Sequence, residues 1–182
     1  MRLPYVLTTV VAMLNLSCGL LPAQKGGDPS MTESPWELRL SVGEGVKLRA
    51  VLHNRTKRPQ TYLYDVDLQP STLILTAPSG ERLQPFDTRS NAKFDNTVYR
   101  EMYRQAAPGS EVTLDEASIA SDHSLAWGPF LYANLAAGLY RAHVVWRSEK
   151  NEYYDPKSKR TNLLKDVWMG SVSSNTIDIH IR

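Results

Sequence analysis

The sequence predicts an all-β protein, a single antiparallel β-sandwich of about seven or eight short strands with one short helical insertion. Three observations carry this. Apolar and polar residues alternate with period two through much of the chain from Trp36 onward, as in strands with one face in a core and the other in water. Gly, Pro, Asn and Asp punctuate these runs at short intervals. Patterns of helical period are few and short, which favours sheet on sheet over helix on sheet. The chain has 182 residues, and the roughly 160 that follow a short leader suffice for one domain with a sizeable core.

Composition narrows the class. Apolar residues at 42% and charged residues at 22% are ordinary for a soluble globular domain, which excludes a membrane-embedded or wholly disordered chain. Lys and Arg total 21 against 19 Asp and Glu. So small an excess excludes the dense basic footprint of a nucleic-acid binder.

The chain opens on "MRLPYVLTTVVAMLNLSC", with one positive charge at Arg2, an apolar run from Leu3 to Leu16, then the small residues Ser17, Cys18 and Gly19. This is the grammar of an export signal, expected over residues 1–17. A transmembrane helix needs about 20 apolar residues; this run is shorter and is broken by Pro4, Thr8, Thr9 and Asn15. The "LSC" at 16–18 resembles the end of a bacterial lipobox, in which small residues precede a cysteine that is lipidated and becomes the new N-terminus. Ser17 and Leu16 fit that pattern, and Asn15 stands where the family has Leu. A cut after Ala23, at "LPA", would instead release a soluble secreted or periplasmic protein without cysteine. Cys18 is the only cysteine in the chain, and paired cysteines are what an oxidising compartment usually selects. One sulfur at the position of a lipid anchor therefore favours membrane attachment in the cell envelope. Residues 18–35, rich in Gly, Ser and Pro, are then a flexible tether carrying the anchor.

The domain is expected over 36–182. In "WELRLSV" the residues Trp36, Leu38, Leu40 and Val42 point one way. In "VKLRAVLH" the inward set is Val46, Leu48, Ala50 and Leu52. "GEG" at 43–45 is a hairpin-turn signal between them. Further strands are expected at "TYLYDV", "STLILTA", "RLQPF", "SEVTLDE", "LYRAHVVWR" and "NTIDIHI", with "PSG" a turn. Tyr140, Ala142, Val144 and Trp146 form one inward row, and Ile177, Ile179 and Ile181 another. "FDNTVYREMYRQ" carries Tyr99, Met102 and Tyr103 at spacings of three and four after a capping Asp95 or Asn96, which predicts the short helix. "SEKNEYYDPKSKRTNLLKD" mixes Lys150, Lys157, Lys159, Arg160 and Lys165 with Glu149, Glu152, Asp155 and Asp166, and is expected to be a solvated loop.

"NLAAGLYRA", residues 134–142, resembles the L-x-x-G-x-Y corner of immunoglobulin-like sandwiches, with Tyr140 as the corner tyrosine. Ala142 stands where true immunoglobulin domains carry a cysteine, so the inter-sheet disulfide is absent. "VKLRAVLHN", "LAAGLY" and "VWMGSVSSNTIDIHI" follow in the order found in immunoglobulin-like domains of exported bacterial proteins. The resemblance covers most of 36–182. It implies that fold and, by analogy, a binding or accessory role.

Residues that could carry chemistry are sparse. His53, His143 and His180 fall on outward strand faces without an H-x-H, H-E-x-x-H or cysteine partner, so neither a metal nor another cofactor is expected. "SDHS" at 121–124 places Ser, Asp and His side by side, whereas a triad converges from separate elements; it reads as a turn. No G-x-S-x-G, phosphate-cradling loop or dinucleotide fingerprint occurs. The expectation is therefore a non-catalytic module for a protein or cell-surface partner, with a secreted protease inhibitor on the same scaffold as the alternative. Trp36 and Trp146 are assigned to the core. Trp127, Phe130 and Tyr132 of "LAWGPFLY", with Tyr153 and Tyr154, are the candidates for an exposed recognition patch.

Overall fold

The alternating heptapeptide at Trp36 becomes the first strand of a molecule built from β-structure. The structure, a computed structural model, describes residues 33–64, 71–91 and 96–182, all within one unit, Glu33–Arg182. The expected signal segment, Cys18 and the tether up to residue 32 lie outside the described residues. In chain order the strands are β1 (Trp36–Gly43), β2 (Lys47–Asn54), β3 (Gln60–Leu63), β4 (Thr72–Thr76), β5 (Phe86–Asp87), β6 (Tyr103–Ala106), β7 (Glu111–Ser118), β8 (Leu125–Trp127), β9 (Phe130–Tyr132), β10 (Gly138–Ser148), β11 (Glu152–Asp155), β12 (Arg160–Leu163), β13 (Gly170–Ser173) and β14 (Ile177–Ile181). All strand pairings are antiparallel, and among the described residues the helical elements are short 3₁₀ turns.

One sheet has the order β1-β2-β7. β1 and β2 pair from Trp36↔Asn54 to Gly43↔Lys47, joined at the expected turn by a 3₁₀ turn over Glu44–Val46. The inward rows Trp36, Leu38, Leu40 and Leu48, Ala50, Leu52 are buried, whereas Val42 is 45% exposed because the strand runs past the end of the core. Along β7, Ala50 faces Asp115 but Val51 faces Thr113, so Leu114 is an extra, bulged residue.

The other main sheet is centred on β10, with β4 on one side and β14 and β13 in succession on the other. Between Ala142↔Ile177 and Val145↔Ser173, β10 spends two residues and its neighbour three, which places a bulge at Ser174–Thr176. The bulge is held by hydrogen bonds. Val144 N donates to Ser174 Oγ at 2.9 Å, and Ser174 N donates to Val144 O at 2.8 Å. From the same bulge the Asn175 amide reaches the first sheet: Leu40 N donates to its Oδ1 at 2.9 Å, and its Nδ2 donates to Leu40 O at 3.0 Å. The inward rows of both sheets, Tyr140, Ala142, Val144, Trp146, Ile179 and Ile181 among them, share one core with the rows of β1 and β2. Each fully buried Leu, Ile or Val there is worth about 1.5–3 kcal/mol.

Three expectations change. Of the predicted helix at 94–105, the described part from residue 96 holds a single 3₁₀ turn, Arg100–Met102, followed by β6, and the candidate cap Asp95 lies outside the described residues. The spacing of Tyr99 and Met102 belongs to that turn, closed by Met102 N donating to Tyr99 O at 3.1 Å, and the chain then extends because β6 supplies the ladder for β3. "RLQPF" is no full strand: Arg82 makes an isolated bridge to Thr76, and Phe86 begins the two-residue β5. The expected loop at 148–166 contains the hairpin β11–β12, in register from Glu152↔Leu163 to Asp155↔Arg160.

Candidate functional site

Two recurring residue types, Tyr and Arg, meet beside the main core. Strands β3 and β6 pair from Gln60↔Ala106 to Leu63↔Tyr103. The β11–β12 hairpin joins them through Tyr154 N, which donates to Val98 O at 2.7 Å, and through Tyr103 Oη, which donates to Glu152 O at 3.1 Å. A parallel bridge Thr61↔Val167 ties in the segment after the hairpin. These pieces enclose a small core of Leu63, Val98, Tyr103 and Val167, backed by Met102, Tyr153 and Leu164, separate from the main one.

In and around that core stand Tyr64, Tyr99, Tyr103, Tyr153 and Tyr154, five of the nine tyrosines in the chain, while Tyr62, beside Leu63 on β3, packs into the main core edge-on to Trp36 at 5.9 Å. Tyr62 meets Tyr64 edge-on at 6.3 Å and Tyr99 meets Tyr154 likewise at 6.3 Å. Arg104 lies 5.0 Å from the Tyr64 ring centre and Arg100 lies 5.9 Å from that of Tyr153, within reach of the attraction between a cation and a ring face. Burial pushes the Tyr62 and Tyr103 phenols up from their ordinary values, so both stay neutral. Tyr64 is 50% exposed and Leu163, at the end of β12, 68%. A cleft of about 230 Å³ opens beside Val98, Lys150, Tyr153, Tyr154 and Thr161.

The recognition patch expected from sequence is divided by the structure. Tyr153 and Tyr154 lie in this lobe, half-buried. Trp127 and Tyr132 are corrected: both are buried in the main core, because β8 and β9 form a hairpin whose inward side covers β4. Trp127 Nε1 donates to Ser71 Oγ at 2.9 Å, and Tyr132 Oη donates to Leu73 O. Phe130 is half-buried, with the Arg89 guanidinium 5.4 Å from its ring centre; the same Arg89 holds the Asp87 carboxyl down at about 2 through hydrogen bonds. Sequence reasoning missed Tyr62, Tyr64, Tyr99 and Tyr103, together with Arg100 and Arg104. The signal available was tyrosine density, since "TYLY" and "YREMYR" lie on either side of the pairing that unites them.

Among the described residues, the polar groups singled out in the sequence lie apart from one another. In "SDHS", Asp122 Oδ1 accepts from Ser124 Oγ at 2.6 Å while the His123 ring faces Leu135 O at 3.2 Å, so acid and imidazole serve different turns. His143 faces Ile74 in the register and His180 faces Leu139, four residues away along β10, and His53 lies in the other sheet. Among the described residues no three His, Cys, Asp or Glu side chains group as a metal site. Burial at the β7 bulge pushes the Asp115 carboxyl up to about 6, against the hydrogen bond from Glu116 N at 2.9 Å. Comparison with protein-family models, with curated proteins and with solved structures finds no match to this chain.

Proposed function

We propose that this chain is an exported, lipid-anchored immunoglobulin-like module that binds a protein partner through the Tyr–Arg lobe. The observation that carries the reading is the lobe itself, a separately cored platform that presents tyrosines braced by Arg100 and Arg104. Tyr and Arg are the side chains that contribute most to protein interfaces, because each offers a large rigid contact area with a polar end. The immunoglobulin-like assignment is supported by the strand orders β1-β2-β7 and β4-β10-β14, which parallel A-B-E and C-F-G of that architecture. Tyr140, near the start of β10, donates to Ala136 O at 2.9 Å, as a tyrosine corner does. Anchoring through Cys18 rests on the export-signal pattern and on the absence of any other cysteine.

A photo-crosslinking amino acid placed at Tyr64 or Leu163 in the native envelope tests the interface. A discrete adduct from both positions is expected, weakened by Arg104→Ala. An adduct of equal yield from Phe86, exposed on β5 outside the lobe, or none from the lobe, would remove the lobe as the contact surface.

A further inference from the structure

A second site lies away from the lobe, at the end of the sandwich where the β1–β2 turn meets the end of β14. A cleft of about 460 Å³ opens there between Val46, Ile119 and Ile181 on its apolar side and His123, His180 and Arg182 on its polar side. Its volume lies in the range of about 300–1,000 Å³ typical of small-molecule sites. None of the described lining residues carries an acidic side chain, and the neighbouring Asp122 is turned to Ser124.

Two wall residues are held in backbone conformations that L-residues avoid. Val46 has φ 56° and His123 φ 59°. For β-branched Val46 this region is an outlier, retained while its side chain packs against the main core. His123 is fixed from three sides: its N–H donates to Ala120 O at 3.0 Å, its C=O accepts from Leu135 N at 2.9 Å, and its Nδ1 lies 3.2 Å from Leu135 O. A carbonyl only accepts, so Nδ1 carries the proton and Nε2 is left as the ring's free nitrogen. The imidazole is thus oriented before any ligand arrives.

We propose that this cleft binds a small organic anion, a carboxylate on a short apolar body. The apolar wall takes the body, and the Arg182 guanidinium with the His180 ring takes the charge, while the fixed His123 ring borders the site. Octanoate is the probe, with octylamine as a control of the same body and opposite charge, tested on the full chain by calorimetry and by the imidazole resonances. Octanoate is expected to bind saturably and to shift the His123 and His180 signals, octylamine to do neither. The double variant His180→Gln/Arg182→Gln, on exposed side chains, should weaken octanoate by about tenfold, and Ile119→Phe should fill the cleft and abolish binding. Equal affinity for both probes, unshifted imidazoles, or a double variant with unchanged affinity would overturn the assignment.

Discussion

Asp115 shows how one side chain sets a pH dependence. Its carboxyl sits at the β7 bulge beneath the β8–β9 turn, where a Cβ on Gly128 would lie 3.1 Å from its Oδ2. Burial raises its folded value to about 6, above the unfolded carboxyl. Between roughly pH 4 and 6 the folded chain therefore holds more protons, and stability falls as pH rises through that window, the reverse of a salt-bridged acid. Asp115→Asn should flatten this slope and raise stability at neutral pH by about 1 kcal/mol, allowing for the solvent that still reaches the group; denaturant unfolding at pH 4.5 and 7.5 measures both. Asn54 is legible in the "VKLRAVLHN" motif only as a residue type. In the fold it is fully buried, its Nδ2 donating to the carbonyls of Arg58, Ala106 and Ala107 and its Oδ1 accepting from Thr56. Asn54→Ala leaves several buried groups without partners and should cost at least about 2–3 kcal/mol in the same measurement.

At the scale of elements, alternation decided what could be read in advance. β1, β2, β4, β10 and β14 bury one face against the other sheet, so their period-two rows stand out. β11 and β12 bury little on either face, with partial exposure throughout, and leave no such row; only their mutual pairing and the small core make them strands. The β8–β9 hairpin was readable in principle, since Leu125 and Trp127 alternate around Ala126, but three-residue strands give too few repeats. Docking of the β11–β12 hairpin rests on few contacts, of which the Tyr103–Glu152 hydrogen bond is removable cleanly. Tyr103→Phe should speed amide exchange in residues 152–163 while leaving β10 protection intact. The segment before β13 is tighter. Trp168 stacks on Trp146 at 6.0 Å, and a Cβ on Gly170 would fall 2.5 Å from the Trp168 ring. Gly170→Ala should therefore displace that ring, destabilise the domain by about 1–3 kcal/mol, and change the near-ultraviolet tryptophan spectrum.

Across the whole molecule, the inward rows anticipated the two-sheet core, while the Tyr–Arg lobe did not appear because its parts are some 90 residues apart in sequence and converge only through β3–β6 and Tyr154. Attachment belongs to this scale too. Cys18→Ala should move the protein from the detergent phase to the aqueous phase in partitioning, and continued detergent partitioning would exclude a lipid on that sulfur. The Asn175 clasp has a consequence of the same reach. A sheet's outermost strand is a template on which a neighbouring molecule can add its own backbone. In β1 the central N–H and C=O of that rim, those of Leu40, are already occupied by an amide from the far sheet. With that carboxamide in place, the middle of this rim has no free donor or acceptor at Leu40 to offer an incoming backbone.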